Sequence, residues 1–235
     1  IEVVLEVKVN IVTTGAGNPE RYLPRLKHAG IKVMPVVSAV ASAKRLAEAG
    51  VDAIIAEGME SGGHIGETTT MALVPQVVDN VRVPVIAAGG IADGRGLVAA
   101  LALGAQGIQM GTRFVCSSEC IAHPKYKQKI LEAHDRATVV TRQMTGSPLR
   151  TLRNSLTDQV TALEKAGISK EELQLFDRGR MHLGLIDGDT DEGSLLAGQI
   201  AGLIKEIKPA RAIIEETIAE AESIISRLKN LDMEG

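Results

Sequence analysis

Aromatic residues are almost absent. The chain has no tryptophan, two tyrosines (Tyr22, Tyr126) and two phenylalanines (Phe114, Phe176). A stacking platform for single-stranded nucleic acid needs aromatic faces, so that class is disfavoured. The core must be built from Val, Ile, Leu and Ala. There is no excess of positive charge either; the net charge is −3, which gives no general affinity for polyanions. Two cysteines, Cys116 and Cys120, form a C-x3-C pair with no further cysteine and no histidine at a zinc spacing. They read as inert thiols in a reducing, cytoplasmic setting. No signal peptide is visible, and no apolar run reaches the ~18 residues that span a bilayer. Two phosphate-binding signatures are missing as well. No G-x-G-x-x-G follows a first strand and no G-x-x-x-x-G-K-[ST] occurs, so Rossmann and P-loop readings are poor.

What is present is rhythm. Apolar, β-branched runs at 9–17, 31–37, 51–58, 83–90 and 105–114 alternate with short helical patterns at 19–30, 39–50, 68–81 and 92–104. Continuous apolar strands separated by helices predict a parallel sheet buried on both faces, linked by right-handed crossovers. Ligand sites in such folds form at the C-terminal ends of the strands. Functional residues are therefore expected at 13–18, 57–66, 88–94 and 109–113. Beyond 115 the rhythm changes. Residues 116–192 read as a mostly helical lid or insertion, with a helix at 124–137 and another near 169–178. The small-residue run 193–204 reads as a tightly packed helix. Residues 210–231 read as an amphipathic helix with Ile213, Ile214, Ile218, Ile225 and Leu228 on one stripe.

Two glycine loops stand out. "AAGGIADG" (87–94) follows a strand and opens a helix; "QMGT" (109–112) ends the next strand. Glycine lets a ligand approach the backbone, and N–H groups at a helix start favour a phosphate. Thr112 can add a hydroxyl. Either loop alone is ordinary turn chemistry. Together, one helix apart, they match the phosphate site after the last two strands of a (β/α)8 barrel, and a mononucleotide such as FMN suits them. Asp93 fits a helix cap better than a ligand contact. Beyond strand 51–58 lies His64, flanked by Gly62, Gly63 and Gly66. The bland reading is a loop histidine bonded to a carbonyl. The flanking glycines, however, clear space for a flat ligand, and an imidazole can move protons near neutral pH. Glu57 ends the strand and can point at the rim; Glu60 reads equally well as a solvated acid.

The segments "AEGMESGGHIG", "VPVIAAGGIADG" and "QMGTRF", in that order, resemble the nitronate monooxygenase (2-nitropropane dioxygenase) family. Within it the chain looks most like the FMN-dependent enoyl-acyl-carrier-protein reductase II branch, supported by "TTGAGNP", "AHPKYKQKIL" and "GSLLAGQIAGLI". The resemblance implies a TIM-like (β/α)8 barrel with a small, mostly helical second domain, and non-covalent FMN. Gly89, Gly90, Gln109, Met110, Gly111 and Thr112 would hold the phosphate side. Glu57, Gly62 and Gly63 would lie along the ribityl chain and ring, and His64 matches the active-site histidine.

In the reductase branch NADH or NADPH reduces FMN, which passes a hydride to a small-molecule or acyl-carrier-protein-bound enoyl thioester. In the monooxygenase branch an alkyl nitronate is oxidised with O2. A non-catalytic flavin- or phosphate-binding scaffold, and a flavin-free phosphate-binding barrel isomerase, are the remaining readings. A homodimer is a candidate assembly. The family begins with three βα units that have no counterpart here. The expectation is thus an incomplete barrel of about five strands: residues 1–115 as its C-terminal part, 116–192 as the helical insertion, and 193–235 as helices returning to the barrel. The chain reads as a piece of a longer protein.

Overall fold

The computed structural model describes residues 1–15 and 17–231. Ala16, inside the expected rim at 13–18, and residues 232–235 lie outside the described residues. The chain divides into two units. The first comprises residues 1–59, 66–88 and 99–109; the second comprises 60–65, 89–98 and 110–235.

The first unit is a five-stranded parallel sheet. In chain order it carries α1 (Glu2–Val7), β1 (Ile11–Thr14), α2 (Leu23–His28), β2 (Lys32–Val37), α3 (Val40–Glu48) and β3 (Ile54–Glu57). The short β4 (Gly63–His64) belongs to the second unit. The first resumes with α4 (Thr70–Val78) and β5 (Val85–Ala88); α5 (Gly94–Ala102) starts in the second unit and runs into the first, which ends at β6 (Gly107–Gln109). The strand order is β1-β2-β3-β5-β6. This is the curved-sheet segment of an incomplete TIM-like barrel, as the alternating pattern predicts. Each strand is shorter than its apolar run, because the flanking residues form the turns.

The central strand β3 is buried on both faces: Ile54, Ile55 and Ala56 have no exposed surface. Leu26, Val33, Leu46, Leu73, Val74 and Val77 pack the helices onto the sheet. Pro35 sits within β2 without breaking it. It closes the ladder with β1, opposite Thr14, and the ladder with β3 begins one residue later at Val36. Its missing N–H therefore falls where one ladder hands over to the next. Helices α2 and α3 end at Gly30 and Gly50, both with left-handed backbone. The Gly30 N–H bonds to Lys27 O and the Ile31 N–H to Leu26 O; Gly50 and Val51 repeat the arrangement. The helix stop also aims the chain into the next strand.

The second unit departs from expectation. Residues 138–152, expected to lie in a mostly helical insertion, form a hairpin of β7 (Thr138–Thr141) and β8 (Leu149–Leu152), preceded by α6 (Thr112–Val115) and α7 (Pro124–Leu131). With β4 they make a three-stranded antiparallel sheet, β4-β8-β7. The strands are four residues long and carry Thr and Arg among the apolar positions, so no alternation shows in the sequence. Tertiary pairing supplies what propensity does not. Three helices follow: α8 (Ser155–Lys165), α9 (Lys170–Phe176) and α10 (Arg180–Leu185). Asn154 and Ser169 cap the first two with complete capping boxes.

Residues 193–204 do not form the expected helix. Leu196 makes a β-bridge to Thr151, and only a 3-10 turn forms at Gln199–Leu203. The small residues serve backbone-to-backbone contact instead. A Cβ on Gly198 would lie 2.7 Å from the Glu60 carbonyl oxygen. The amphipathic C-terminal helix α11 (Ala210–Leu231) forms as expected, burying Ile213 and leaving Ile214 and Ile218 half exposed. The second unit's core gathers Cys116, Tyr126, Ile130, Leu195, Ala197 and Ile204. No helix among the described residues is long and apolar enough to cross a membrane.

Candidate functional site

In the first unit, register places Glu57 at the C-terminal end of β3 opposite Ala88, and Ala88 opposite Gln109 at the end of β6. Glu57 and Gln109 thus stand on one rim with a single strand between them. Gly58 continues that rim: its N–H bonds to Ala88 O, and a Cβ on it would lie 2.0 Å from the Thr70 hydroxyl. Only glycine lets α4 start this close to the strand end.

In the second unit, two expected residues, Gly62 and Thr112, meet on the segment 196–199. Gly62 presses on the Ala197–Gly198 backbone, where a Cβ would meet atoms at 2.6–2.8 Å. Thr112 Oγ1 accepts the Gly198 N–H at 2.9 Å. The Gln199 N–H bonds to Glu60 O, and Gly90 faces the Glu60 side chain, 3.4 Å from where a Cβ would be. The Tyr126 hydroxyl donates to Leu196 O, and burial pushes that phenol's pKa up. Tyr126 and residues 196–199 are therefore parts of the site that the sequence did not single out. Gly63, Gly89 and Gly90 all take left-handed backbone, which a side chain would strain. Gly111 opens α6, and a Cβ on it would meet nothing within 4 Å. Met110 precedes it.

The start of α5 corrects the phosphate reading. The Gly94 N–H donates to Oε2 of Glu220 at 2.8 Å. The N–H groups of Arg95 and Gly96 donate to Oδ1 of Asp93 at 3.0 and 3.4 Å. The protein's own carboxylates fill this helix start, so Asp93 is a cap. In the first turn of α6 the backbone N–H groups have no preceding intrahelical partner.

His64 is exposed and held by the hairpin. It pairs with Leu149 in the β4–β8 register, Gly63 pairs with Arg150, and the Ile65 N–H bonds to Pro148 O. Arg150 is buried beside Glu60; burial lowers its pKa and the Glu60 charge opposes that shift. The Ser61 hydroxyl is buried without a hydrogen-bond partner. His64 lines a cleft of about 230 Å³ whose walls come from the β7–β8 turn, α9 and α10. No group of three His, Cys, Asp or Glu side chains suited to a metal ion occurs among the described residues.

Residues 1–220 match the nitronate monooxygenase family. This chain belongs to that family. It is a family of flavin-dependent oxidoreductases, and the chain is an enzyme of that type. Among solved structures, FabK from Thermotoga maritima superimposes with a TM-score of 0.94 at 48% identity, covering 98% of this chain and 73% of that one. A Mycobacterium tuberculosis protein named as a hydroxy-methyl-oxo-octahydro-indene-carboxyl-CoA dehydrogenase is 33% identical over 261 residues, covering 94% of this chain and 74% of the relative. A Staphylococcus saprophyticus protein named "Probable nitronate monooxygenase" is 36% identical over 239 residues, covering 97% and 67%.

Proposed function

We propose that this chain carries the catalytic half of an FMN-dependent enoyl-acyl-carrier-protein reductase acting in fatty-acid synthesis. The observation that carries the reading is His64, exposed on a glycine-flanked strand and lining a cleft with apolar walls. The 48% identity to FabK supports it. So does the relative whose name specifies a carboxyl-CoA substrate.

The residues fit a flavin mononucleotide. Gly111 leaves open space above the backbone, Gly89 and Gly90 hold a left-handed turn free of side chains, and the buried Ser61 hydroxyl lacks a partner. Gly90, Gly111 and Thr112 would hold its phosphate side; Gly62 and Gly63 would line its ribityl chain and ring. Bound FMN supplies hydride transfer, with NADH or NADPH as the donor. The chain's own part is to exclude water, to orient the thioester, and to hold a proton on the His64 imidazole for the carbon α to the carbonyl.

The nitronate monooxygenase reading rests on the family name and the S. saprophyticus relative. One assay separates the two. The flavin-loaded protein is mixed anaerobically with NADPH or NADH, then with a crotonyl thioester. Flavin bleaching followed by reoxidation on adding the thioester is the expected result. Nitronate-dependent O2 uptake without nicotinamide would replace the reductase reading. His64→Ala should lower turnover by roughly 10²–10⁴-fold, the range for general acid–base groups, and leave the flavin spectrum in place.

A further inference from the structure

The His64 cleft, of about 230 Å³, has a more varied lining than a small anion needs. Leu149, Leu173 and Met181 give it apolar walls, while Thr145, Ser147 and Gln174 offer hydroxyl and amide groups. Three cations line it. Arg142 is committed to Asp177, donating from Nε at 2.7 Å and from Nη2 at 2.5 Å. Arg180 donates to the Glu192 carboxylate at 3.0 Å and to the Glu192 carbonyl at 3.2 Å. Lys170 alone has no ion pair or hydrogen bond from its ammonium among the described residues, and it is exposed. The nearby Glu172 carboxylate is occupied by the Ser169 hydroxyl and N–H.

One wall of the cleft is fixed for a reason visible in the backbone. Arg142 is a non-glycine residue with φ of 62°. Such a conformation is disfavoured for a residue with a side chain and persists where its surroundings fix it. The buried carboxylate of Glu164 accepts the N–H groups of Arg142 at 2.8 Å and Met144 at 3.0 Å. Backbone and guanidinium of Arg142 are thus fixed from Glu164 on α8 and from Asp177 at the end of α9. This fixes one wall of the cleft in advance of any ligand, which lowers the ordering cost of binding.

We propose that this cleft receives the phosphopantetheine arm of the acyl thioester, with Lys170 taking its phosphate. The arm alternates short methylene runs with two amides and ends in a phosphate. That sequence of chemistry matches apolar walls, the Gln174 and Ser147 groups, and one unpaired cation. The inference rests on the enoyl-thioester reading above and deepens it. A nicotinamide dinucleotide also carries phosphate, so the test separates the two sources.

The flavin-loaded protein and its Lys170→Gln variant are titrated calorimetrically with 4′-phosphopantetheine and with pantetheine. KM is measured for crotonyl-4′-phosphopantetheine, crotonyl-pantetheine, NADPH and NADH. The unaltered protein should bind the phosphorylated arm at least ten-fold more tightly, and Lys170→Gln should erase that preference. In the variant, KM for the phosphorylated thioester should rise about ten-fold more than KM for the unphosphorylated one. A preference that survives in the variant overturns the assignment. So does a rise confined to the nicotinamide substrates, which would give the phosphate to the dinucleotide. Phosphate-dependent binding that Lys170→Gln abolishes, found in a protein that turns over only nitronates, would keep the cleft assignment and sink the reductase reading. Absence of both binding preference and thioester turnover sinks both.

Discussion

Oε2 of Glu220 accepts the backbone N–H of Gly94 at 2.8 Å across 126 residues of chain. A carboxylate of the C-terminal helix thereby caps the helix that follows the glycine turn. A Cβ on Gly94 would lie 2.5 Å from the Ala221 nitrogen and 2.7 Å from the Thr217 oxygen, so glycine is what permits α11 to dock there. Gly94→Ala should destabilise the protein by about 1–3 kcal/mol, the range for overpacking. Thermal melts should show this as a fall of roughly 2–4 °C per kcal/mol. Glu220→Gln keeps an acceptor and should cost less. An unchanged melting temperature in Gly94→Ala would contradict the close packing.

The Arg142–Asp177 pair should be a main support of the β7–β8 turn. The two side chains are 10% and 24% exposed, which places the pair nearer the buried than the surface regime. Arg142→Ala should cost about 3–5 kcal/mol, because it strands a carboxylate with little water. Arg142→Lys should recover only part of that, since an ammonium cannot reproduce the two-pronged contact. Urea midpoints for the three proteins give the comparison.

Asp93 contributes an acid-sensitive term. Burial pushes its carboxyl up, but the Arg95 hydrogen bond and charge, with the N–H groups of Gly96 and Arg95, outweigh this and hold the pKa below the ordinary aspartate range. A folded pKa beneath the unfolded one gives stability that is complete above the unfolded value and lost as pH falls through the folded one. The gap in stability between the unaltered protein and Asp93→Asn should therefore close below about pH 4, the ordinary aspartate range. Circular dichroism on acid titration follows it. A gap independent of pH would show that the cap acts by hydrogen bonding alone.

Cys116 should resist thiol reagents while the protein is folded. It has no exposed surface, and burial pushes its pKa up to about 11. At pH 8 the thiolate is then only about 0.1% of the total, and the thiolate is the reactive form. Mass-resolved alkylation should modify Cys116 only as denaturant unfolds the chain. Labelling at native pH with the fold intact would count against the packing around it.

The parallel sheet was legible because each of its signals is local. A run such as "VDAIIAEG" needs no distant partner to read as a strand buried on both faces, and Gly30 and Gly50 stop helices by their own backbone freedom. His64 was legible by its glycine neighbours. The β7–β8 hairpin was not, because Thr138–Thr141 and Leu149–Leu152 acquire strand character from one another and from Gly63–His64. The run 193–204 misled because small apolar residues suit close backbone contact as well as a helix; the choice lay in the approach of Glu60 and Thr112.

The sequence by itself determined the alternating α/β order, the rim where Glu57 and Gln109 stand, and the histidine among glycines, all from short-range pattern and turn chemistry. The tertiary structure alone decided which helix start is closed to an anion, since the closing carboxylate of Glu220 comes from the far end of the chain. It also decided that His64 lines a cleft and that Lys170 is its one unpaired cation among the described residues. Those outcomes depend on contacts between residues tens of positions apart, which no local pattern encodes.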